Sequence, residues 1–150
     1  MTHRILFVCL GNICRSPTAE AVTRAKAAER RLSLTVDSAG TGDWHIGKPP
    51  YGPMQDAARN KGYDLSDLRA RQVSRSDADD FDLIIAMDAA NTRDLASFGV
   101  TENVRLFTDF APHANATEVP DPYCTRDFDD ALTLIEACAD GLLDTLSQPS

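Results

Sequence analysis

Cys9 and Arg15 are the two residues whose types and spacing could do chemistry. Five residues separate them, in the run Val8-Cys9-Leu10-Gly11-Asn12-Ile13-Cys14-Arg15-Ser16-Pro17. A loop of that length can curl its amides inward around a tetrahedral oxyanion, with Leu10, Gly11, Asn12, Ile13 and Cys14 supplying the N–H groups. The Cys9 sulfur then lies beneath the central atom, and the Arg15 fork clamps two oxygens bidentately. A neighbouring guanidinium and a helix N-terminus favour the thiolate, the nucleophilic form. Ser16 can donate its hydroxyl to that sulfur. Gly11 allows a close backbone approach or a positive φ, and Asn12 is the non-glycine residue that best tolerates the left-handed region.

Flanking residues decide whether such a loop exists. Ile5-Leu6-Phe7-Val8 has the length and β-branched character of a buried strand. Thr18-Ala19-Glu20-Ala21-Val22 reads as the start of a helix, with Ser16 a suitable N-cap and Pro17 suited to the first helical position. A junction of strand end and helix N-terminus gathers free N–H groups and the positive end of a helix dipole, so it binds anions.

The 150 residues are expected to form one domain, 1–150, large enough to bury a core without disulfide staples. Fifteen Lys and Arg stand against 23 Asp and Glu, a net charge of −8. That balance argues against nucleic acid and anionic membranes as partners, since both need basic surface. It also makes a positive pocket at Cys9 more telling, because no general excess of cations explains it. No apolar run approaches membrane-spanning length. Met1-Thr2-His3-Arg4 leads straight into the first strand, without room for a signal peptide. Four cysteines in such a chain imply reduced thiols and a cytoplasmic location. Their spacing forms no recognised zinc pairing.

Along the chain, Pro17 to about Arg31 reads as a helix with Ala21, Val22, Ala25 and Ala28 on its inner face. Leu34-Thr35-Val36 is a short second strand, and a right-handed crossover makes it a parallel neighbour of the first. Ser38 to Pro53 reads as a loop rich in Gly and Pro, leaving the sheet at the same end as Cys9. Trp44, the one tryptophan, sits in that loop and is placed to wall a pocket by stacking on an aromatic group. Met54 to Lys61 reads as a helix closed by Gly62. Arg69, Arg71 and Arg75 read as a solvated face. Asp77 to Asp80 is a short acidic turn of helix. Leu83 to Met87 is a central strand, and Asp88 caps a helix to about Phe98. Val104 to Phe107 is a fourth strand, followed by a long loop, Thr108 to Asp127, of the kind that is often functional. Phe128, Ala131, Leu132, Ile135, Cys138, Leu142 and Leu146 mark the inner face of a final helix, with Cys138 in the core. The sum is an α/β fold: a four-stranded parallel sheet with helices on both faces.

The segment Val8 to Pro17 resembles the phosphate-binding loop of the low-molecular-weight protein tyrosine phosphatases. Chain length and the Asp121-Pro122-Tyr123 segment fit that family, and the likeness runs through essentially the whole chain. It implies hydrolysis of phosphotyrosine and other aryl phosphate monoesters through a cysteinyl-phosphate, including acid phosphatase activity on small substrates. The partners would be tyrosine-phosphorylated proteins or peptides and small aryl phosphates, with inorganic phosphate as product. A thiolate that displaces a phenoxide from phosphorus needs a proton delivered to the leaving oxygen. Asp109, Asp121, Asp127, Asp129 and Asp130 all lie near enough in sequence, and the family's Asp-Pro acid loop selects Asp121. By the same resemblance, Cys9 is the nucleophile and Arg15 the phosphate and transition-state binder. Ser16 holds the thiolate, and Asn12 and Ser38 brace the loop. Trp44 and Tyr123 flank the substrate ring, and Ile13 touches it from below. No metal or cofactor is expected, because Arg15 and the amides neutralise the charge.

Two positions depart from the family pattern. Many members carry a His before the Ala70-Arg71-Gln72 triplet, where this chain has Leu68. A second aromatic often follows Tyr123, where this chain has Cys124. Cys14, in the same tight loop as Cys9, reads as a resolving thiol that captures oxidised Cys9 as a reversible disulfide. Three rival activities share the loop. Arsenate reductase needs further cysteines, and none lies between Asp77 and Val100. A protein-arginine phosphatase often has Thr where Ile13 stands. A catalytically idle phosphoprotein-binding or redox-sensing module would not require the acid.

Overall fold

A computed structural model describes residues 3–147; Met1, Thr2 and residues 148–150 lie outside it, and with them part of the N-terminal reading. Four strands, β1 (His3–Cys9), β2 (Leu34–Gly40), β3 (Leu83–Ala86) and β4 (Val104–Leu106), form a sheet in the order β2-β1-β3-β4. Every pairing is parallel. The helices are α1 (Arg15–Glu29), α2 (Gly52–Asn60), α3 (Asp77–Asp80), α4 (Ala89–Ser97), α5 (Pro122–Thr125) and α6 (Phe128–Leu146).

Alternation along β1 divides the core in two, because successive strand residues point to opposite faces. Ile5, Phe7 and Cys9 join Val22 of α1, Met54 of α2 and the inner stripe of α6. Leu6 and Val8 join Leu95 of α4 and Val73 on the other face. Helices therefore cover both faces, and the strands read as continuous apolar runs for that reason. The strand order reverses at β1, so the carboxyl ends of β1 and β3 open a crevice where such sheets bind ligands. Cys9 ends β1 at that crevice, and Asp88 follows β3 there.

Several boundaries differ from the sequence reading. α1 begins at Arg15, with Cys14 as N-cap and no side-chain cap. Ser16 is not the cap, because its hydroxyl is committed to Cys9 and Asn12. The buried residues of α1 include Ala19, Val22, Thr23 and Ala27, while Ala28 is exposed. β2 continues through Asp37 and Ser38 to Gly40, which pairs with Cys9. Phe107 leaves β4 for a 3₁₀ turn, Phe107–Phe110. The long loop after it holds a second 3₁₀ turn, Pro112–Ala114, and α5. Arg71 is not part of a solvated face: its guanidinium grips the buried Asp77 bidentately at 3.1 Å and also reaches Asp37. Asp88 caps α4 as expected, in a capping box with Asn91, and the α6 stripe with Cys138 is fully buried in its central turns.

Candidate active site

The first strand stops at Cys9 because the chain must leave the sheet, and residues 10–14 turn back towards the start of α1. Asn12 sits at the bend with φ 56°, the left-handed conformation. Its side chain makes that conformation hold. Nδ2 donates to Ser16 Oγ at 2.8 Å and to Ser38 Oγ at 3.0 Å, and Oδ1 accepts the Arg71 N–H at 3.0 Å. Ser38 in turn donates to the buried carboxylate of Glu20 at 2.7 Å, which also takes a 2.6 Å hydrogen bond from Arg24. All polar atoms of the brace are therefore satisfied, which is the condition for a buried polar network to stiffen a loop.

The neighbouring strand contributes a second constraint. A side chain at Gly40 would bring a Cβ within 2.8 Å of the Leu10 carbonyl and 3.2 Å of Asn12. Only glycine lets the loop lie this close to β2.

The Cys9 sulfur meets Ser16 Oγ at 3.0 Å and accepts the Asn12 N–H at 3.3 Å. Ser16 already accepts from Asn12, so its own proton is available to the sulfur. Arg15 is buried, its side chain only 3% exposed, and is held by two hydrogen-bond acceptors and a longer ion-pair contact. Nη1 donates to Asp88 Oδ2 at 2.7 Å and to the Val119 carbonyl at 3.0 Å, and Nη2 lies 3.7 Å from Asp121 Oδ2. Burial works against the guanidinium's charge, but Cys9, the Asp88 hydrogen bond and Asp121 outweigh it and raise its pKa. Cys14 is instead driven to its neutral form: burial first, then the nearby Cys9 and Asp121, push its thiol up to about 12. At neutral pH it stays a protonated thiol.

Asp121 opens α5 as its N-cap, with Oδ1 accepting the Tyr123 N–H at 3.1 Å. Above the loop a cavity of about 160 Å³ is lined by Cys9, Leu10, Gly11, Ile13, Cys14 and Arg15 below, and by Trp44, His45, Asp121, Tyr123 and Cys124 around its mouth. Its volume is close to the ~150 Å³ that accepts one benzene ring in a protein interior. Trp44 is 64% exposed and Tyr123 49%, so both aromatic residues are open to solvent where they line the cavity. Among the described residues, no cluster of His, Cys, Asp and Glu could hold a metal ion.

Cys9, Leu10, Gly11, Ile13, Cys14, Arg15, Trp44, Asp121 and Tyr123 share one cavity. Asn12, Ser16 and Ser38 lie beneath it in the brace. Leu68 packs against the main core, and the Arg71 N–H donates to the Asn12 side-chain Oδ1. Asp88, Glu20 and Tyr51 are site residues that the sequence does not mark as such: Asp88 reads only as a helix cap, and Glu20 only as one charge on a helix. Tyr51 donates its N–H to the Ile13 carbonyl at 2.8 Å.

The chain matches the family model described as low molecular weight phosphotyrosine protein phosphatase over residues 4–149. It is 44% identical to the low molecular weight protein-tyrosine-phosphatase YfkJ of Bacillus subtilis over 149 residues, 96% of each chain. A low molecular weight protein-tyrosine-phosphatase of Streptomyces coelicolor is 42% identical over 153 residues, covering 95% of this chain and 93% of the other. The crystal structure of YfkJ superposes with a TM-score of 0.93 at 43% identity, covering 97% of this chain and 95% of that one. A protein tyrosine phosphatase from Entamoeba histolytica, with Hepes in its active site, superposes with a TM-score of 0.90 at 34% identity, covering 96% of both chains.

Proposed function

The chain belongs to the low molecular weight phosphotyrosine protein phosphatase family, and from that premise we propose how its residues divide the work of hydrolysis. Cys9 attacks phosphorus: a P–S bond forms as the P–O bond to the phenoxide breaks. Asp121, entering as the carboxylic acid, gives its proton to the departing oxygen, so the product leaves as a neutral phenol. Water then attacks the cysteinyl-phosphate while the Asp121 carboxylate takes its proton. The S–P bond breaks, inorganic phosphate departs, and the thiolate and the acid are restored.

Arg15 neutralises charge on the equatorial oxygens together with the loop amides, so no metal or cofactor is required. Phosphate oxygens compete with Asp121 for the same guanidinium, which frees the carboxyl to face the leaving group. Ser16 and the Asn12 N–H steady the sulfur when it departs as an anion. Trp44 and Tyr123 sandwich the substrate ring, and apolar Ile13 lies under it, which suits a phenyl ring better than a guanidinium. Residues 1–150 work as one catalytic domain in the cytoplasm, on tyrosine-phosphorylated proteins or peptides and on small aryl phosphates. Cys14 serves as the redox partner of Cys9.

One observation carries this reading: Cys9, Arg15 and Asp121 line one cavity of a single ring's size, with the Arg15 guanidinium 3.7 Å from the Asp121 carboxylate. Hydrolysis of p-nitrophenyl phosphate in the presence of a chelator tests it. Full activity without metal, loss of all activity in Cys9→Ser, and faster turnover of phosphotyrosine than of phosphoserine or phosphoarginine peptides are the expected results. Metal dependence, or an active Cys9→Ser, overturns it.

A further inference from the structure

The turn that carries Asp121 is tied to the phosphate loop through Tyr51. The Tyr51 N–H is spent on the Ile13 carbonyl at 2.8 Å, inside the loop that would hold phosphorus. Its ring meets Tyr123 edge-on, with centroids 5.1 Å apart and planes at 60°, and lies 6.0 Å from Phe128 at the start of α6. Its hydroxyl accepts a 3.0 Å hydrogen bond from Arg126 Nη1. The Arg126 guanidinium lies 5.3 Å from the centroid of the Tyr51 ring and 5.2 Å from that of Phe128. A cation over two ring faces is attracted to both.

Arg126 also has a left-handed backbone. It ends α5 with φ 65°, and its N–H closes the turn on the Pro122 carbonyl at 2.8 Å. Helix ends commonly take this conformation, and here the two rings and the Tyr51 hydroxyl fix the side chain that leaves the turn. Tyr51 thus touches the phosphate loop with its backbone and the acid-bearing turn with its side chain.

We propose that Tyr51 and Arg126 are positioning residues, a latch that sets the Asp121 carboxyl at the correct height over the Cys9 loop. The proposal rests on Asp121 being the general acid. Neither residue touches the reacting atoms; they act through the turn. A displacement of roughly 1 Å at a reacting group can cost about a hundredfold in rate, so partial loosening should be visible as a weakened proton delivery.

Two substrates that differ only in their need for that proton give the test. The p-nitrophenolate ion leaves with little help. Phenolate, whose phenol resembles tyrosine with a pKa of about 10, needs the proton. The full chain and its variants Tyr51→Phe, Tyr51→Ala, Arg126→Gly and Asp121→Asn are compared by kcat/KM on p-nitrophenyl phosphate and phenyl phosphate, which reports the step that expels the leaving group. Glycine accepts a positive φ, so Arg126→Gly removes the side chain without straining the turn.

The expected result is a loss of about tenfold on phenyl phosphate and under about threefold on p-nitrophenyl phosphate for Arg126→Gly and Tyr51→Ala. Tyr51→Phe, which keeps the ring, should fall between them and the parent. Equal losses on both substrates, or none, overturn the proposal. Arg126→Gly and Tyr51→Phe settle it even if Tyr51→Ala fails to fold. If Asp121→Asn discriminates steeply between the substrates while the latch variants do not, the latch alone is wrong. If Asp121→Asn treats both substrates alike, the acid assignment fails and takes the latch with it.

Discussion

Replacing Asp88 by Asn separates the two duties of one carboxylate. Oδ1 accepts the Asn91 N–H at 2.8 Å and caps α4, while Oδ2 accepts Arg15 Nη1 at 2.7 Å. Asn caps helices about as well as Asp. With the amide oxygen of the substituted side chain retained by Asn91, its NH₂ would face Nη1, donor against donor. What is lost is a hydrogen bond between charged groups, worth about 1.5–3 kcal/mol. If that loss is felt fully in the transition state, kcat/KM falls about 10- to 150-fold, at about 1.4 kcal/mol per factor of ten. Arg15 keeps the Val119 carbonyl at 3.0 Å and Asp121 at 3.7 Å, so it is not left without acceptors. Folding should therefore lose only about 1–2 kcal/mol, a Tm drop of about 2–8 °C for a chain of this size. Asp88→Ala adds the lost cap, about 1 kcal/mol of further stability, with little further loss of activity. Steady-state kinetics at 25 °C and thermal melts of both variants are the assay. Asp88→Asn within twofold of the parent in kcat/KM would refute the claim that this carboxylate aims Arg15.

Three other outcomes follow from the structure. Gly141→Ala looks favourable by helix propensity, by about 1 kcal/mol, but the new Cβ would run into the Phe110 carbonyl oxygen. Overpacking of about 1–3 kcal/mol should win, lowering Tm by several degrees; a higher Tm contradicts the packing. Burial raises the thiols of Cys14 and Cys138 to about 12, and an unfolded thiol ionises near 8.5. The unfolded chain then binds fewer protons above pH 9, so stability falls as pH rises from 9 towards 12, by up to about 1.4 kcal/mol per pH unit for each thiol. Urea midpoints measured from pH 8 to 11 should fall less steeply in Cys138→Ala, and an unchanged slope refutes the assignment. Peroxide followed by a thiol reductant should restore the parent's activity but not that of Cys14→Ser; equal recovery would remove Cys14 as the redox partner.

The parts of this protein legible in its sequence are those carried by local chemistry. Cys9 and Arg15 belong to one continuous segment, and the apolar run before them and the helix after them follow from periodicity. The stripe of α6 and the Asp88 cap are equally local. Contacts between distant segments were harder to read. β2 reaches Gly40 because Cys9 pairs with it, although Asp37 and Ser38 look like the start of a loop. Arg71 resembles any surface arginine until the fold brings Asp37 and Asp77 to it. Glu20, on a helix with charged neighbours, shows no sign in sequence of being buried beneath Ser38. Gly141 interrupts an otherwise good helix for the sake of a carbonyl 31 positions earlier, at Phe110.

Hydrolysis through a phosphoryl group on Cys9 is visible to rapid quenching. The enzyme is mixed with p-nitrophenyl phosphate, stopped in acid during turnover, digested and examined by mass spectrometry. One phosphoryl group on the sulfur of the Cys9 peptide, enriched in a variant whose second step is slowed and absent from Cys9→Ser, is the predicted result. Turnover with no phosphorylated Cys9 at any quench time, or a phosphoryl group found on another residue, would contradict it.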